Sequence, residues 1–159
     1  MTEAIGSTSA FSPAPRPFPA IMVGGLVVGV LDLAYAIVVY SPNKPILVPQ
    51  AIASGVLGMK SYGGGTLTAE LGVLHFVIAS GAATVYYVAS RKLEILVQWA
   101  VPLGLVYGGL VYFFMHLVVV PFSAASTGRA PLIYQAAELV EHWFGAGLPI
   151  ALSVRHFSR

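Results

Sequence analysis

Residues 19–40 read PAIMVGGLVVGVLDLAYAIVVY, and Asp32 is the only charged side chain in this run. About 20 apolar residues are needed to cross a hydrocarbon core roughly 30 Å thick, so the run predicts a transmembrane helix. The whole chain agrees, since 57% of its 159 residues are apolar, 9% are charged, and its mean hydropathy is +0.83. An ordinary soluble domain carries about 25% charged residues. We therefore predict an integral membrane protein.

Three further apolar stretches resemble the first, and the predicted fold is all-α, an integral membrane four-helix bundle. Between spans one and two, ILVPQAIASGVLGMKSYGGG is too short and too broken to cross, and its mixed pattern predicts a short interfacial helix. Residues 1–18, with closely spaced prolines, predict a flexible tail. The predicted organisation is a 1–18 tail, a 19–155 transmembrane domain with spans at about 19–40, 66–90, 93–120 and 131–154, and a 156–159 tail.

The charges exclude several classes of protein. The formal net charge is +2 and the basic residues are scattered, so the chain lacks the basic face of a nucleic-acid-binding protein and no nucleic acid is expected. The absence of cysteine excludes disulfides, thiolate zinc sites and iron–sulfur ligation, so a metal would need His, Asp or Glu.

Lysine and arginine also predict the orientation. Positive residues concentrate on the cytoplasmic side of membrane proteins. The side that holds both predicted termini carries five of them and the other side three, which favours cytoplasmic termini. The five are Arg16, Arg91, Lys92, Arg155 and Arg159, and the three are Lys44, Lys60 and Arg129.

Ionisable residues inside the spans are the main functional feature. Placing an ionisable side chain in lipid costs free energy, so each of these residues is a candidate functional residue. With alternating helices, a rise of about 1.5 Å per residue places all of them in the same leaflet, and small residues share their helix faces. We therefore predict one inward-facing polar site in the outward half of the bundle. Its predicted metal ligands are Asp32, His75, His116, Glu138 and His142, and its predicted supporting residues are Glu70, Tyr112, Tyr134 and Glu141.

Imidazole and carboxylate ligands together suit Zn, Fe, Mn or Cu, and Glu138 and His142 are spaced to share one helix face. A transition metal is therefore the predicted cofactor. One alternative is haem b held by two histidines, with His75 opposite His116 or His142. Another is a non-catalytic accessory subunit, a proton or cation relay, or a small-molecule-binding protein. The spacing identifies no reaction and no catalytic residue.

Two GxxxG pairs, Gly25 with Gly29 and Gly104 with Gly108, predict close helix contacts. Such pairs allow helices to pack closely, either within one compact bundle or between two copies in a dimer. The expected partners are therefore the lipid bilayer and, as an open alternative, a second copy or a larger membrane complex.

Several segments together resemble a known group of proteins. They are LDLAYA, QAIASGVLG, GGGTLTAELGVLHFVIA, VYGGLVYFFMHLVVVPFSA and GLPIA, within roughly residues 25–152. In their combination they resemble small bacterial inner-membrane proteins, loosely the YagU-like group. The resemblance implies a four-span protein of the bacterial inner membrane, and it carries no catalytic residue with it.

Overall fold

The computed structural model describes residues 15–125 and 130–158, and within them every regular element is a helix. The first helix, α1 (Pro17–Tyr40), matches the first predicted span. It begins inside the predicted 1–18 tail because Pro17 lies at its first position, where a missing N–H costs no hydrogen bond. The rest of that tail prediction falls on residues 1–14, which lie outside the described residues, as does Arg129.

The second predicted span is preceded by a folded segment. Helix α2 (Leu47–Leu57) leads into a 3₁₀ turn at Gly58–Gly63, followed by α3 (Gly65–Ala69), a 3₁₀ turn at Glu70–Gly72 and α4 (Val73–Ser90). Two glycines with positive φ, Gly58 and Gly65, let the chain change direction on either side of the first turn. The Gln50 side chain donates a hydrogen bond to the carbonyl of Gly65, which fixes α2 to the start of α3.

The third predicted span begins later than expected. A short helix, α5 (Ile95–Gln98), ends at Trp99, and α6 (Ala100–Phe114) then continues through a π turn at Met115–Val119 into α7 (Val120–Phe122). Pro102 explains the interruption, since it cannot donate to the carbonyl of Gln98 and its ring would clash with that group in a continuous helix. The predicted start at residue 93 is therefore corrected to residue 100.

The last helical run is continuous but also contains a π turn. Helix α8 (Leu132–Glu141) leads through the π turn His142–Gly147 into α9 (Leu148–Phe157). Both π turns end two residues before a proline, Pro121 in one case and Pro149 in the other. A proline removes one hydrogen bond of the α-helical pattern, which leaves room for the wider turn.

Three helical stretches in the described residues are long and apolar enough to cross a membrane, namely Pro17–Tyr40, Gly65–Ser90 and Ala100–Phe122. These three point to a membrane protein. Helix α1 packs along α4 and α9, while α6 packs against α9 and the π turn that precedes it. The backbone N–H of Arg16 donates to the carbonyl of Phe157 at 3.0 Å, so the start of α1 and the end of α9 lie side by side.

Glycines make the closest helix contacts, and both GxxxG pairs are used within the chain. Gly25 and Gly29 on α1 face α4, at Ser80 and Phe76 respectively. On α6, Gly104 and Gly108 face the last helical run, where Gly147 is so close that a Cβ would overlap backbone atoms of α6. The residues of these pairs therefore pack the protein against itself.

Candidate metal centre

The structure brings six ionisable side chains from four helical segments to one end of the bundle. They form three pairs, each of one histidine and one carboxylate. His75 Nε2 lies 3.3 Å from Asp32 Oδ2. His116 Nε2 lies 3.6 Å from Glu138 Oε2, and His142 Nδ1 lies 3.0 Å from Glu141 Oε2. No lysine or arginine forms an ion pair with these carboxylates in the part of the chain that the structure describes.

One group within this cluster has the geometry of a metal site. Asp32, Glu141 and His142 each offer one ligand atom, and the three atoms lie within 4.8 Å of one another. Two segments supply them, α1 and the junction of α8 with its π turn. The side chains of Glu141 and His142 are only 8% and 10% exposed, so the group lies inside the protein.

The proton on His142 Nδ1 is directed to a backbone carbonyl, although Glu141 Oε2 lies at the same distance from that nitrogen. His142 Nδ1 lies 3.0 Å from the backbone carbonyl of Glu138, which can only accept, so this nitrogen carries the proton and donates it there. In the neutral ring, the other nitrogen, Nε2, keeps a free lone pair. Both oxygens of Glu141 are buried and have no hydrogen-bond partner among the described residues. A buried carboxylate without a donor is costly, and a bound cation would relieve that cost.

A second group lies beside the first. His116 also donates its Nδ1–H to a backbone carbonyl one turn earlier, that of Tyr112, at 3.0 Å. Its partner Glu138 accepts a hydrogen bond from the Tyr40 hydroxyl at 3.2 Å. The ring of Tyr112 lies between the two histidines, 4.3 Å from His116 and 5.5 Å from His142 between ring centroids.

The contacts in the structure group the nine predicted site residues differently from the predicted division into ligands and supporting residues. Glu141, predicted as a supporting residue, belongs to the three-residue group, whereas His116 and Glu138 pair with each other outside it. Tyr112 contacts two histidines, as a supporting residue should. The ring of Tyr134 contacts Tyr40 and reaches no histidine.

Glu70 is the predicted residue that the structure leaves out of the cluster. It lies in the 3₁₀ turn at the start of the second span, is exposed, and lines neither cavity described below. The 3₁₀ turn changes the direction in which its side chain points, so a regular 3.6-residue period does not apply there. The structure therefore places Glu70 apart from the six clustered residues, and its supporting role stays a prediction.

Two cavities flank the ionisable residues. One, of about 510 Å³, lies between α1, α2, α4 and the end of the third span. The other, of about 950 Å³, lies between the third span and α8, next to His116 and His142. Asp32 and Glu138 line both cavities and so stand between them.

Sequence reasoning missed two tyrosines of α1. Tyr40 donates to Glu138, and Tyr35 lines the smaller cavity with its hydroxyl buried. Tyr35 follows Asp32 by three residues, a spacing that places both on one side of a helix, and this could have identified it. The π turns at Met115–Val119 and His142–Gly147 were also missed, and each contains one histidine of the cluster. Such turns occur frequently at functional sites.

The described residues form an all-helical fold with three helices long and apolar enough to span a membrane and with a buried histidine–carboxylate group. Comparison with family models, curated proteins and solved structures finds no match to this chain.

Proposed function

We propose that this chain is a four-span membrane protein that binds one divalent transition-metal ion at Asp32, Glu141 and His142. The observation that carries the proposal is the group of three ligand atoms within 4.8 Å of one another. The buried carboxylate of Glu141 supports it, because its oxygens accept no hydrogen bond among the described residues and protein interiors rarely leave such a group unsatisfied.

The proposed fourth span is the helical run 132–157. It is as long as the three apolar helices, but Glu138, Glu141 and His142 make it more polar. Its end is hydrogen-bonded to the start of α1, which requires an even number of crossings if α1 crosses the membrane. A polar span that packs its charged face against α1 and α6 is how a membrane bundle accommodates ionisable residues. We place α2 at the membrane interface.

The ligands favour certain metals. Two carboxylate oxygens and one imidazole nitrogen form a mixed set that suits Zn²⁺, Fe²⁺ or Mn²⁺, and Cu²⁺ also accepts such ligands. Two ionised carboxylates would balance the charge of a divalent ion, which matters where lipid surrounds the bundle. His75 stands beside Asp32 and is available either as a fourth ligand or to orient that carboxylate, a role that histidines and carboxylates share around metals.

We further propose that the site lies in the outer leaflet of a bacterial inner membrane, with both termini in the cytoplasm. The excess of basic residues near the predicted cytoplasmic ends supports this orientation. The resemblance to small inner-membrane proteins of the YagU-like group supports the location. Metal handling, or metal-dependent redox or hydrolytic chemistry, would then take place near the external face.

Elemental analysis of the purified protein tests the proposal. After expression in metal-supplemented medium, the wild-type chain should carry close to one transition-metal ion per molecule. Asp32→Asn, Glu141→Gln and His142→Ala should each lower the content or the affinity about tenfold or more, since each removes one ligand. His116→Ala is the matched control, because it removes an intramembrane histidine outside the three-residue group.

Three results would contradict the proposal. The first is folded wild-type protein that holds no metal and binds none on titration. The second is a loss of metal in His116→Ala as large as that in His142→Ala. The third is a Soret absorption band that requires His75, which would favour the haem alternative instead.

A further inference from the structure

The smaller cavity has the size and lining of a ligand site. Its volume of about 510 Å³ falls within the roughly 300–1,000 Å³ of small-molecule pockets. Helix α2 forms one side of it, and α1, α4 and the end of the third span form the others. Most of the wall is aliphatic, including Leu33, Leu47, Val48, Ile52, Ile78 and Val119.

The polar groups of this cavity come mainly from α1 and its neighbours. Asp32, Tyr35 and Tyr40 lie on α1, and His75 and Glu138 face them from α4 and α8. No lysine or arginine lines the cavity in the described part of the chain. An anionic head group, such as a fatty acid carboxylate or a phosphate, would therefore meet two carboxylates and no compensating cation.

Two polar atoms in this wall are buried and have no hydrogen-bond partner within the described residues. They are the hydroxyl oxygen of Tyr35 and Nε2 of His75. A tyrosine hydroxyl can donate a hydrogen bond, and a neutral imidazole nitrogen can accept one. A ligand hydroxyl could satisfy both, since it accepts one hydrogen bond and donates another.

A charged amine is a poorer fit than a hydroxyl. Asp32 and Glu138 each already have a histidine nitrogen within 3.6 Å, so neither carboxylate faces the cavity without a neighbour. Bringing an ammonium group out of water into this largely aliphatic cavity would cost far more than bringing in a hydroxyl.

We propose that the cavity binds a neutral, lipid-soluble alcohol, with an apolar body against α2 and its hydroxyl between Tyr35 and His75. The proposal goes beyond metal binding and does not require it. The ligand class includes both aliphatic alcohols and phenols, because each carries one hydroxyl on an apolar body.

Photolabelling tests the proposal in the intact protein, reconstituted in lipid nanodiscs. The probe is a diazirine derivative of 1-decanol, and labelled peptides are identified by mass spectrometry. Labelling should be saturable, fall on α1 or α2, and be displaced by unlabelled 1-decanol or by 4-hexylphenol. The methyl ether of decanol, decanoic acid and decylamine should compete at least about tenfold less well, because none is a neutral hydroxyl donor.

Two variants locate the site. Ile52→Trp should abolish saturable labelling by filling the cavity, and Tyr35→Phe should weaken competition by decanol about fivefold by removing one hydrogen-bond donor. Tyr112→Phe is the matched control, since Tyr112 lines only the larger cavity, and it should bind decanol like the wild type. Tyr35→Phe changes no volume in the wall, so it remains informative even where Ile52→Trp fails to fold.

The proposal is overturned if the methyl ether or the amine competes as well as decanol, or if Tyr35→Phe and Tyr112→Phe behave alike. The same measurement on chelator-treated and zinc-loaded protein separates it from the metal proposal. Decanol binding without zinc binding would leave this proposal standing and contradict the other one.

Discussion

The two ends of the bundle bury different kinds of residue. At the end where Arg16 meets Phe157, the helices pack through small and aliphatic side chains, and we call this end the packed half. Its fully buried residues include Ala20, Ala83, Ala100, Ile150, Ala151 and Val154, together with one aromatic residue, Tyr86. At the other end, the polar half, lie the three histidine–carboxylate pairs and both cavities.

The difference shows how this protein separates stability from function. Lipid removes the hydrophobic drive for helices to associate, so the packed half depends on backbones that approach closely at glycine. The polar half cannot pack as closely, because its charged side chains need both space and partners. We expect substitutions in the packed half to change folding, and substitutions in the polar half to change binding.

The largest effect should come from closing the tightest contact of the packed half. A Cβ at Gly147 would overlap the carbonyl oxygen of Gly104 and the backbone nitrogen of Gly108. Since neither backbone group can move aside, Gly147→Ala should destabilise the protein by about 3 kcal/mol. Unfolding in mixed detergent micelles, followed by circular dichroism, measures this change.

Gly81→Ala is its matched control. It makes the same substitution on α4, where an added Cβ would meet nothing within 4 Å among the described residues. Alanine is the better helix former, so this variant should be unchanged or about 0.5 kcal/mol more stable. Equal destabilisation by the two variants would show that close backbone contact is not what holds the packed half together.

An intermediate effect should appear in the polar half when pH is lowered. Protons compete with the metal for His142 and the carboxylates, so the affinity for Zn²⁺ should fall on acidification. For each proton displaced, the expected change is about tenfold per pH unit, or about 1.4 kcal/mol. Equilibrium zinc titration between pH 8 and pH 5 measures it, with circular dichroism to verify folding. A zinc affinity that stays constant across this range would exclude an imidazole ligand, since histidine is the ligand type that ordinarily takes up its proton between these pH values.

The smallest effect should come from a single hydrogen bond between helices. The Tyr107 hydroxyl donates to the carbonyl of Ala82 at 2.7 Å, which links α6 to α4. Such bonds contribute about 0.6 kcal/mol in membrane bundles, so Tyr107→Phe should lower stability by about that amount. Zinc content should not change, because Tyr107 lines neither cavity. A Tyr107→Phe variant that keeps its stability but loses zinc would contradict the assignment of stability to the packed half and of binding to the polar half.

Much of the fold could be predicted from the sequence because hydropathy marks helix ends. The first predicted span, 19–40, lies within Pro17–Tyr40, and the second, 66–90, lies within Gly65–Ser90. The predicted start of the third span was wrong because the apolar run from residue 93 continues without interruption through the backbone break at Trp99.

The candidate site could be predicted in part. Depth along straight helices places the histidines and carboxylates at one level, and the structure brings six of them together. Which histidine pairs with which carboxylate could not be predicted, because a π turn rotates the helix beyond it and changes which residues face inward. Glu141 directly precedes the π turn at His142–Gly147, and the sequence predicted it only as a supporting residue that could partner a histidine.

The contact between Arg16 and Phe157 makes a circular permutant of this chain possible. Because these two residues are hydrogen-bonded neighbours, a short linker could join them, and new ends could be opened between α7 and α8. Such a circular permutant would keep every helix pair described above but would enter the bilayer from the opposite face and in a different order. Its ability to fold would show whether the helix contacts alone specify this architecture or whether the order of insertion during synthesis also matters.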